Sequence, residues 1–351
     1  MLDLAGRKIE RIMVRATNWV GDAVMTTPAL AALRDNFPEA SLTVLAHAGV
    51  APVFADHPAV DDILLFDSRG RHRGVSGVWR MARQIDRARF DLAVLFQNAF
   101  RAALTVRLAG VPLRLGYDTD GRGFLLNRPI RLEPGDKQVH ETEYYLRILA
   151  RAGLRAESSL PAFHYSGAVR DRASERLKRL GLDRAFLLGI APGAAYGTAK
   201  RWPAERFAEA ADRILKRTDG TALIFGGLGE AEAAFRVREA MTSPAVSLAG
   251  ETDLAEAAAL IARCRLFLTN DSGLMHVASA VGVPLVAVFG STNPVTTSPR
   301  GGPVRLIRHP VECSPCLKPV CDRPGHPCMD RVRPGEVAMA GLGLLDETRP
   351  E

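Results

Sequence analysis

The chain has 351 residues, of which 47% are hydrophobic, and carries a formal net charge of +7. This length is too great for one ordinary hydrophobic core and suits two α/β domains. No apolar run is long enough to span a bilayer, and the charged segment from Met1 to Glu10 lacks the apolar stretch of a signal peptide. We therefore expect a cytoplasmic protein.

Strand and helix signals alternate through the first half of the chain. The predicted strands are Arg11–Ala16, Ser41–Ala46, Asp62–Phe66 and Asp91–Phe96. The predicted helices are Pro28–Phe37, Val75–Arg87, Phe100–Ala109 and a long amphipathic helix near Lys137–Gly153. The mixed stretch Arg155–Gly167, which contains Pro161, predicts a linker.

A second alternating series follows the linker. Its predicted helices are Val169–Leu180, Ala204–Arg217, Glu230–Met241, Leu254–Arg263 and Gly273–Val281. Its predicted strands are Phe186–Ile190, Thr221–Phe225, Leu266–Thr269, Pro284–Phe289 and Val304–Arg308. Short apolar strands between helices predict parallel sheets covered on both faces. The expected architecture is two doubly wound domains that face a cleft, with ligands at the carboxyl ends of the strands.

The first strand leads into a polar junction, Asn18 to Leu30. Thr27 has the character of an N-cap and Pro28 that of a first helical residue. Asp22 would then precede the cap and lie in the loop. It is either a solvated aspartate or a carboxylate that serves chemistry at the cleft.

A second junction, Ala191 to Pro203, follows the strand Phe186–Ile190 and precedes a helix predicted to begin at Pro203. Lys200 and Arg201 would lie beside the positive end of that helix. Cations are disfavoured there unless an anion is bound between them and the helix. The alternative is two solvated basic residues on a loop.

The third junction, Leu268 to His276, is the most informative stretch of the chain. The start of a helix has unpaired amides and partial positive charge and therefore suits a phosphate. Asp271 and Ser272 supply a carboxylate and a hydroxyl, which suit the hydroxyl groups of a sugar. A simple N-cap explains the same residues, but two such junctions favour a phosphate cradle and so a nucleotide-sugar.

A glycine-rich turn, Gly226 to Glu230, follows another apolar strand. It would admit a nucleoside closely, with Glu230 or Glu232 bonding the ribose. A plain turn with glutamates in the first helical turn explains it equally well. The first junction has a single glycine, Gly21, instead of the G-x-G-x-x-G of a dinucleotide-dependent oxidoreductase.

A cluster of arginines lies between Ser68 and Phe90, with His72 and one acid, Asp86. The cluster consists of Arg69, Arg71, Arg73, Arg80, Arg83, Arg87 and Arg89. Nucleic acid is a poor candidate partner, because aromatic residues make up only 6% of the chain and do not alternate with the basic ones. An anionic membrane surface or phosphorylated lipid fits this cluster better than a solvated helix face does.

Four cysteines lie close together near the C-terminus: Cys313, Cys316, Cys321 and Cys328. In a reducing compartment such a cluster favours metal over disulfides. The spacing, C-x2-C-x4-C-x6-C, matches no standard zinc module. A structural zinc site and reduced thiols both remain open. Cys264 stands apart in an apolar context typical of a core residue.

Together these stretches resemble the heptosyltransferases of the lipopolysaccharide inner core, which are GT-B glycosyltransferases. The similar segments are Asn18–Asp22, Gln97–Ala103, Pro192–Pro203 and Asn270–His276. The resemblance covers nearly the whole chain and is greatest to the second heptosyltransferase of the pathway. It implies an inverting transfer of heptose from ADP-heptose to the first core heptose on Kdo-lipid A, with no cofactor required for catalysis. Transfer to a different acceptor, or nucleotide-sugar binding without turnover, are the alternatives.

The resemblance also implies roles for individual donor-side residues. Lys200 would contact the diphosphate as ADP leaves, and Thr198 would add a hydroxyl. Asp271 would hold heptose hydroxyls, and the amides after Ser272 and Gly273 would meet the phosphate. His276 would either pack beneath the site or contact the donor. The remaining donor-side candidates are Gly227 and Glu230.

On the acceptor side, Asp22 occupies the position of the general base. Asn18, Asn98 and Arg101 are acceptor-binding candidates, while a helix start and a surface arginine are the alternatives for the last two. Residues 1–160 would form an acceptor-binding Rossmann-like domain, 168–333 an ADP-heptose-binding one, and 334–351 a C-terminal helix or tail. The protein would work in the cytoplasm, at the inner face of the inner membrane.

Overall fold

The computed structural model describes residues 4, 6, 8–157 and 159–348. Much of the N-terminal segment considered for a signal peptide, and residues 349–351 of the predicted tail, lie outside this range. The chain divides into two compact units, Met1–His164 and Tyr165–Glu351. In the described residues, no helix combines the length and the apolar character needed to cross a membrane.

The first unit contains a six-stranded sheet and five α-helices within the described residues. Its strands are β1 (Arg11–Arg15), β2 (Ser41–Ala46), β3 (Asp62–Leu65), β4 (Leu92–Leu95), β5 (Leu113–Tyr117) and β6 (Arg128–Ile130). Its helices are α1 (Val20–Met25), α2 (Thr27–Asn36), α3 (Gly74–Ala88), α4 (Phe100–Leu108) and α5 (Glu141–Ala150). All strand pairs are parallel, in the order β3-β2-β1-β4-β5-β6.

The second unit repeats this topology. Its helices are α6 (Gly167–Arg179), α7 (Ala204–Thr218), α8 (Ala231–Ala240), α9 (Leu254–Ile261), α10 (Gly273–Ala280), α11 (Pro294–Thr297), α12 (Pro327–Asp330) and α13 (Pro334–Glu347). Its strands are β7 (Leu187–Ala191), β8 (Thr221–Ile224), β9 (Ala245–Ser247), β10 (Leu266–Asn270), β11 (Leu285–Val288) and β12 (Val304–Ile307). The parallel order is β12-β11-β10-β7-β8-β9. The α/β prediction of two doubly wound sheets is confirmed.

In both units the strand order reverses between two central neighbours, which are β1 and β4 in the first and β7 and β10 in the second. In a doubly wound sheet, a reversal of this kind opens a crevice at the carboxyl ends of the strands. Most of the predicted donor-side and acceptor-side residues follow these four strands, and Gly227 and Glu230 follow β8. The topology therefore brings the predicted site residues of each unit together at the carboxyl edge of its sheet.

Apolar side chains fill the interior of each unit. In the first, Met13, Ile85 and Leu95 belong to a fully buried cluster between the sheet and α3 and α4. In the second, Trp202 and Leu344 are among the buried residues of the core. The predicted C-terminal tail is helical as far as Glu347, since α13 packs its apolar face against this sheet.

The first junction differs from the prediction. Asp22 lies in the first turn of α1, not in a loop, and α2 begins at Thr27, so the preceding Thr26 is its N-cap. The six-residue α1 escaped prediction because it is shorter than two helical turns and has no side-chain cap. Similarly, α7 begins at Ala204 after Pro203, and Lys200 ends a separate 3-10 turn.

Three strands were not predicted. Two of them, β6 and β9, are three-residue edge strands, and β6 contains Pro129, which a sheet tolerates at its edge. Helix α5 is shorter than predicted. It begins at Glu141 because the His140 side chain accepts a hydrogen bond from the Thr142 amide and caps the helix there.

Candidate functional sites

In the second unit, the junctions after β7 and β10 meet through an ion pair. The Lys200 ammonium lies 2.8 Å from an Asp271 carboxylate oxygen, with the two side chains 15% and 5% exposed. The Lys200 Nζ atom also lies 5.3 Å from the centre of the Tyr196 ring. The two residues predicted to handle the diphosphate and the sugar therefore lie side by side.

Asn270 fixes the relative position of these junctions. Its side chain is completely buried. Its carbonyl oxygen accepts from the Trp202 amide at 3.0 Å, and its amide donates to the Pro192 carbonyl at 2.7 Å. Because both ends of the side chain are bonded to the β7 junction, Asn270 ties the start of α10 to the Lys200 turn.

The start of α10 is capped by its own sequence. Ser272 is the N-cap, and its hydroxyl accepts from the Met275 amide at 3.4 Å and lies 3.2 Å from the Thr269 hydroxyl. Capping thus accounts for Ser272, as the simpler interpretation held. Gly273 begins the helix, and His276 is buried within it at 5% exposure.

The glycine-rich turn after β8 approaches the β7 junction. A Glu230 carboxylate oxygen accepts from the Gly227 amide at 2.9 Å. A Cβ atom placed on Gly193 would lie only 2.1 Å from the other carboxylate oxygen of Glu230, so a larger residue at that position would displace the Glu230 side chain. Glu230 therefore lies directly against the backbone that leads to Lys200, whereas Gly227 is exposed.

The turn that carries Lys200 is supported by the cysteine segment, residues 311–330. Pro319 accepts a hydrogen bond from the Ala199 amide at 3.0 Å, and the His326 ring lies 3.0 Å from the Ala199 carbonyl. The Tyr196 hydroxyl donates to the Leu317 carbonyl at 3.0 Å. Thr198 itself is exposed on this turn.

The cysteines of this segment are free thiols. Three of them are half-buried, and burial raises the pKa of the Cys328 thiol, to which the neighbouring cysteines add. Within the described residues, no group of three or more His, Cys, Asp or Glu side chains is arranged to hold a metal ion. The structure therefore gives no support to the predicted zinc site. Cys264 is a buried core residue, as expected.

In the first unit, Asp22 is half-buried and lies close to α5. Burial, together with the negative charge of Asp22, raises the pKa of Glu141 to about 7. Burial and the same charge also raise the pKa of the Tyr145 hydroxyl. Asp22 thus lies near a carboxyl group, Glu141, that keeps its proton over a pH range in which isolated carboxyls are ionised.

The acceptor-side candidates lie at the ends of β1 and β4. Asn18 is exposed and accepts from the Arg15 guanidinium at 2.9 Å. Asn98 is bonded at both ends, because it donates to the Tyr144 hydroxyl at 2.5 Å and accepts from the buried Arg122 at 2.8 Å. Asn98 is therefore held in place by two buried side chains.

Arg101 lies in the first turn of α4, half-buried, and donates to the carbonyl oxygens of His72 and Gly74. It is thus not a solvated surface arginine. The seven arginines of the predicted basic cluster, in contrast, are all exposed, along the 67–73 loop and α3.

The motifs did not identify Glu141 or Arg15 as site residues, and Asn270 stood in a donor-side motif without an assigned role. A glutamate directly after His140, at a helix start, was the available signal for Glu141. An arginine in an otherwise apolar strand was the signal for Arg15. The proximity of these side chains to the site depends on tertiary contacts, which the spacing of residues along the chain does not encode.

Comparison with known proteins identifies the family of this chain. The profile of the family described as glycosyltransferase family 9 (heptosyltransferase) matches residues 78–325. Lipopolysaccharide heptosyltransferase 2 of Salmonella typhimurium is 31% identical over 307 residues, which cover 85% of this chain and 88% of that protein.

Two solved structures share the fold over nearly their full length. The ADP-heptose LPS heptosyltransferase II of E. coli is 28% identical, with a TM-score of 0.81 and coverage of 96% of this chain and 99% of that one. The glycosyl transferase family 9 protein of Veillonella parvula is also 28% identical, with a TM-score of 0.85 and 99% coverage of both chains. The fold is of the GT-B class, and the chain belongs to glycosyltransferase family 9, the heptosyltransferases.

Proposed function

We propose that this protein transfers L-glycero-D-manno-heptose from ADP-heptose to the first heptose of the lipopolysaccharide inner core, on a Kdo-lipid A acceptor, with inversion at the anomeric carbon. The observation that carries the proposal is the Lys200–Asp271 pair at the β7 and β10 strand ends. In this pair a cation suited to a diphosphate lies beside a carboxylate suited to sugar hydroxyls. The similarity to lipopolysaccharide heptosyltransferase 2 supports the choice of donor and acceptor.

The second unit would bind the donor. Lys200 exchanges its bond to Asp271 for the diphosphate and stabilises the charge that develops as ADP leaves. The free amides at the start of α10, after Ser272 and Gly273, add to this stabilisation, and Thr198 adds a hydroxyl. Asp271, once released, accepts hydrogen bonds from heptose hydroxyls. Glu230 and the exposed turn at Gly227 hold the nucleoside.

The first unit would bind the acceptor, with Asp22 as the general base. A sugar hydroxyl is too weak an acid to ionise beforehand. Its oxygen therefore attacks the anomeric carbon while its proton passes to the Asp22 carboxylate and the bond to the diphosphate oxygen breaks. Asn18 and Asn98 lie in the two strand-end segments that follow β1 and β4, where they would line the acceptor site.

We also propose that the enzyme works at the cytoplasmic face of the inner membrane. The exposed arginines of the 67–73 loop and α3 lie beside two exposed apolar side chains of α3, Val75 and Trp79, which are 78% and 51% exposed. Basic side chains attract anionic headgroups, and neighbouring apolar ones enter the interface. Cosedimentation with vesicles that contain anionic lipid, but not with neutral vesicles, is expected, and it should weaken as salt is raised. Equal binding to both kinds of vesicle would contradict this assignment.

The test of the function is heptose transfer from ADP-heptose to two purified acceptors, Kdo-lipid A with no heptose and the same acceptor with one. We expect product only from the acceptor that carries one heptose. The Asp22→Asn variant serves as the matched inactive control. Transfer to the heptose-free acceptor alone would assign the protein to the first step instead. No transfer to either would require a different acceptor and overturn the proposal.

A further inference from the structure

The first unit contains a cavity of about 220 Å³ at the carboxyl ends of its central strands. Its lining includes Arg15, Asn18, His47, Phe66, Gln97 and Arg101. Arg15 ends β1, His47 and Phe66 directly follow β2 and β3, and Arg101 lies in the first turn of α4. The cavity therefore occupies the place where a doubly wound sheet binds its ligand.

Two guanidinium groups share one aromatic ring in this cavity. The Cζ atoms of Arg15 and Arg101 lie 5.1 Å and 5.5 Å from the centre of the Phe66 ring. The His47 ring lies 4.9 Å from the same ring, centre to centre. Cation–π contact offsets part of the cost of gathering these cations, but it adds no negative charge.

Among the described residues, neither arginine has a carboxylate partner. Arg15, which is only 3% exposed, donates to the carbonyls of Ala16 and Leu45 and to the Asn18 amide oxygen. Arg101 donates only to backbone carbonyls. Its Nε atom is buried without a hydrogen-bond partner.

The acid that directly follows Phe66 is engaged elsewhere, because the Asp67 carboxylate accepts from the amides of Gly70 and Arg71. Burial and the repulsion of Arg101 lower the pKa of Arg15 to about 10, so the buried Arg15 guanidinium remains charged at neutral pH. Buried like charges are costly unless an anion compensates them. Arginines held by neutral oxygens beside an open cavity are typical of a site for phosphate or carboxylate.

We propose that this cavity is a subsite for a compact oxyanion of the sugar acceptor, a phosphate monoester or a sugar carboxylate, held by Arg101 and Arg15. The proposal rests on the proposed function, since it names the chemistry of the acceptor. Asn18 and Gln97 also line the cavity and supply neutral hydrogen-bonding groups. Asn18 also begins the turn that leads into α1 and Asp22, so an anion bound here would orient the acceptor with respect to the base.

The test compares Arg101→Gln with Arg107→Gln, a matched control at an exposed position of the same helix. Each variant is assayed with the anionic acceptor, with a form lacking its phosphates, and with a form whose carboxyl groups are reduced to alcohols. We expect Arg101→Gln to raise the KM for the intact acceptor at least tenfold and to leave the KM for ADP-heptose unchanged. Arg107→Gln should behave as the unmodified protein does.

One of the two altered acceptors should give the same KM with Arg101→Gln as with the unmodified protein. If it is the form without phosphates, the recognised group is a phosphate. If it is the form with reduced carboxyl groups, the recognised group is a carboxylate. Arg101→Lys should recover part of the loss. An equal KM increase on all three acceptor forms would overturn the proposal, because the effect would then be independent of the anion. Thermal unfolding of each variant verifies that it is folded.

A direct binding measurement separates this proposal from the proposed function. Calorimetry is performed with mannose 4-phosphate, with mannuronate and with neutral methyl mannoside. Tighter binding of an anionic sugar, lost in Arg101→Gln but not in Arg107→Gln, supports the subsite even if no heptose transfer is found. Equal binding of the anionic and neutral sugars overturns the subsite even if heptose transfer is found.

Discussion

The strand ends of the two units gather positive charge in opposite ways. In the second unit, Lys200 is paired with Asp271 at 2.8 Å, so the cluster is electrically balanced. In the first, Arg15 and Arg101 flank Phe66 and have no carboxylate partner among the described residues. The same topology therefore supports one compensated and one uncompensated cluster.

The difference suits the ligands proposed for each unit. A lysine ammonium is a compact charge on a flexible stem, and it can exchange a carboxylate for a diphosphate as the donor arrives and ADP departs. An arginine fixed by carbonyl oxygens cannot move in this way, but it presents a rigid, permanent charge to an anion. A mobile pair suits a leaving group, and a fixed pair suits an acceptor that has to be oriented.

The most severe test of this division between the units is Asp22→Asn. If Asp22 accepts the acceptor proton, transfer should fall by about 10²–10⁴-fold. Binding of ADP-heptose should persist, because the donor residues lie in the other unit. Initial rates and calorimetric titration with ADP-heptose measure the two effects. Asp35→Asn, at an exposed position of α2, is the control. Normal turnover by Asp22→Asn would mean that another group is the base.

A smaller loss is expected from Lys200→Ala. Removal of one preorganised group that stabilises developing charge costs about 2–4 kcal/mol of transition-state stabilisation. Weaker binding of ADP-heptose should accompany the slower transfer, because the same ammonium contacts the diphosphate. Steady-state kinetics with varied donor, alongside exposed Lys216→Ala, provide the measurement. If rate and donor affinity stay unchanged, Lys200 has no part in the donor site.

The carboxyl pair of the first unit predicts a pH dependence. The pKa of Glu141 is raised from 4.5 to about 7, so the folded state binds this proton more tightly than the unfolded state does. Ionisation of Glu141 therefore lowers the free energy of unfolding. This loss is absent below pH 4.5, grows as the pH rises and is complete above about pH 7.

Glu141→Gln should accordingly raise the free energy of unfolding at pH 8 and leave it nearly unchanged at pH 4. It should also remove an inflection near pH 7 from the dependence of kcat/KM on pH, while changing the maximal rate at most about tenfold. Urea denaturation and pH–rate profiles, with exposed Glu157→Gln as the control, make the comparison. An inflection retained in Glu141→Gln would assign that titration to a different group.

The smallest effect sharpens the comparison most directly. Lys200→Met leaves the Asp271 carboxylate, 5% exposed, without its partner and should reduce the free energy of unfolding by about 1–3 kcal/mol. Arg101→Gln relieves the repulsion with Arg15 and should change it by less than about 1 kcal/mol. Urea denaturation of both variants measures these changes in the free energy of unfolding. A greater loss of stability in Arg101→Gln than in Lys200→Met would show that the arginine cluster is structural.

Much of the fold could be predicted from local sequence. Strands such as Ser41–Ala46 are short apolar runs bounded by polar turns, and helices such as Leu254–Ile261 begin at a capping residue, Asp253. These signals lie within a few residues of one another. The motif around Asp271 and the basic pair at Lys200 were recognisable for the same reason, because each is a strand end followed by a helix start.

The sequence by itself determined the alternation of strands and helices, the parallel sheets and the residues at the strand ends, because hydrophobic period and capping chemistry are local properties of the chain. Only the tertiary structure decided that Lys200 pairs with Asp271, that Glu141 lies beside Asp22 and that Arg15 and Arg101 share Phe66. Each of these contacts joins residues far apart in sequence. Strand order and helix packing bring these residues together, and their spacing along the chain does not indicate how close they lie in space.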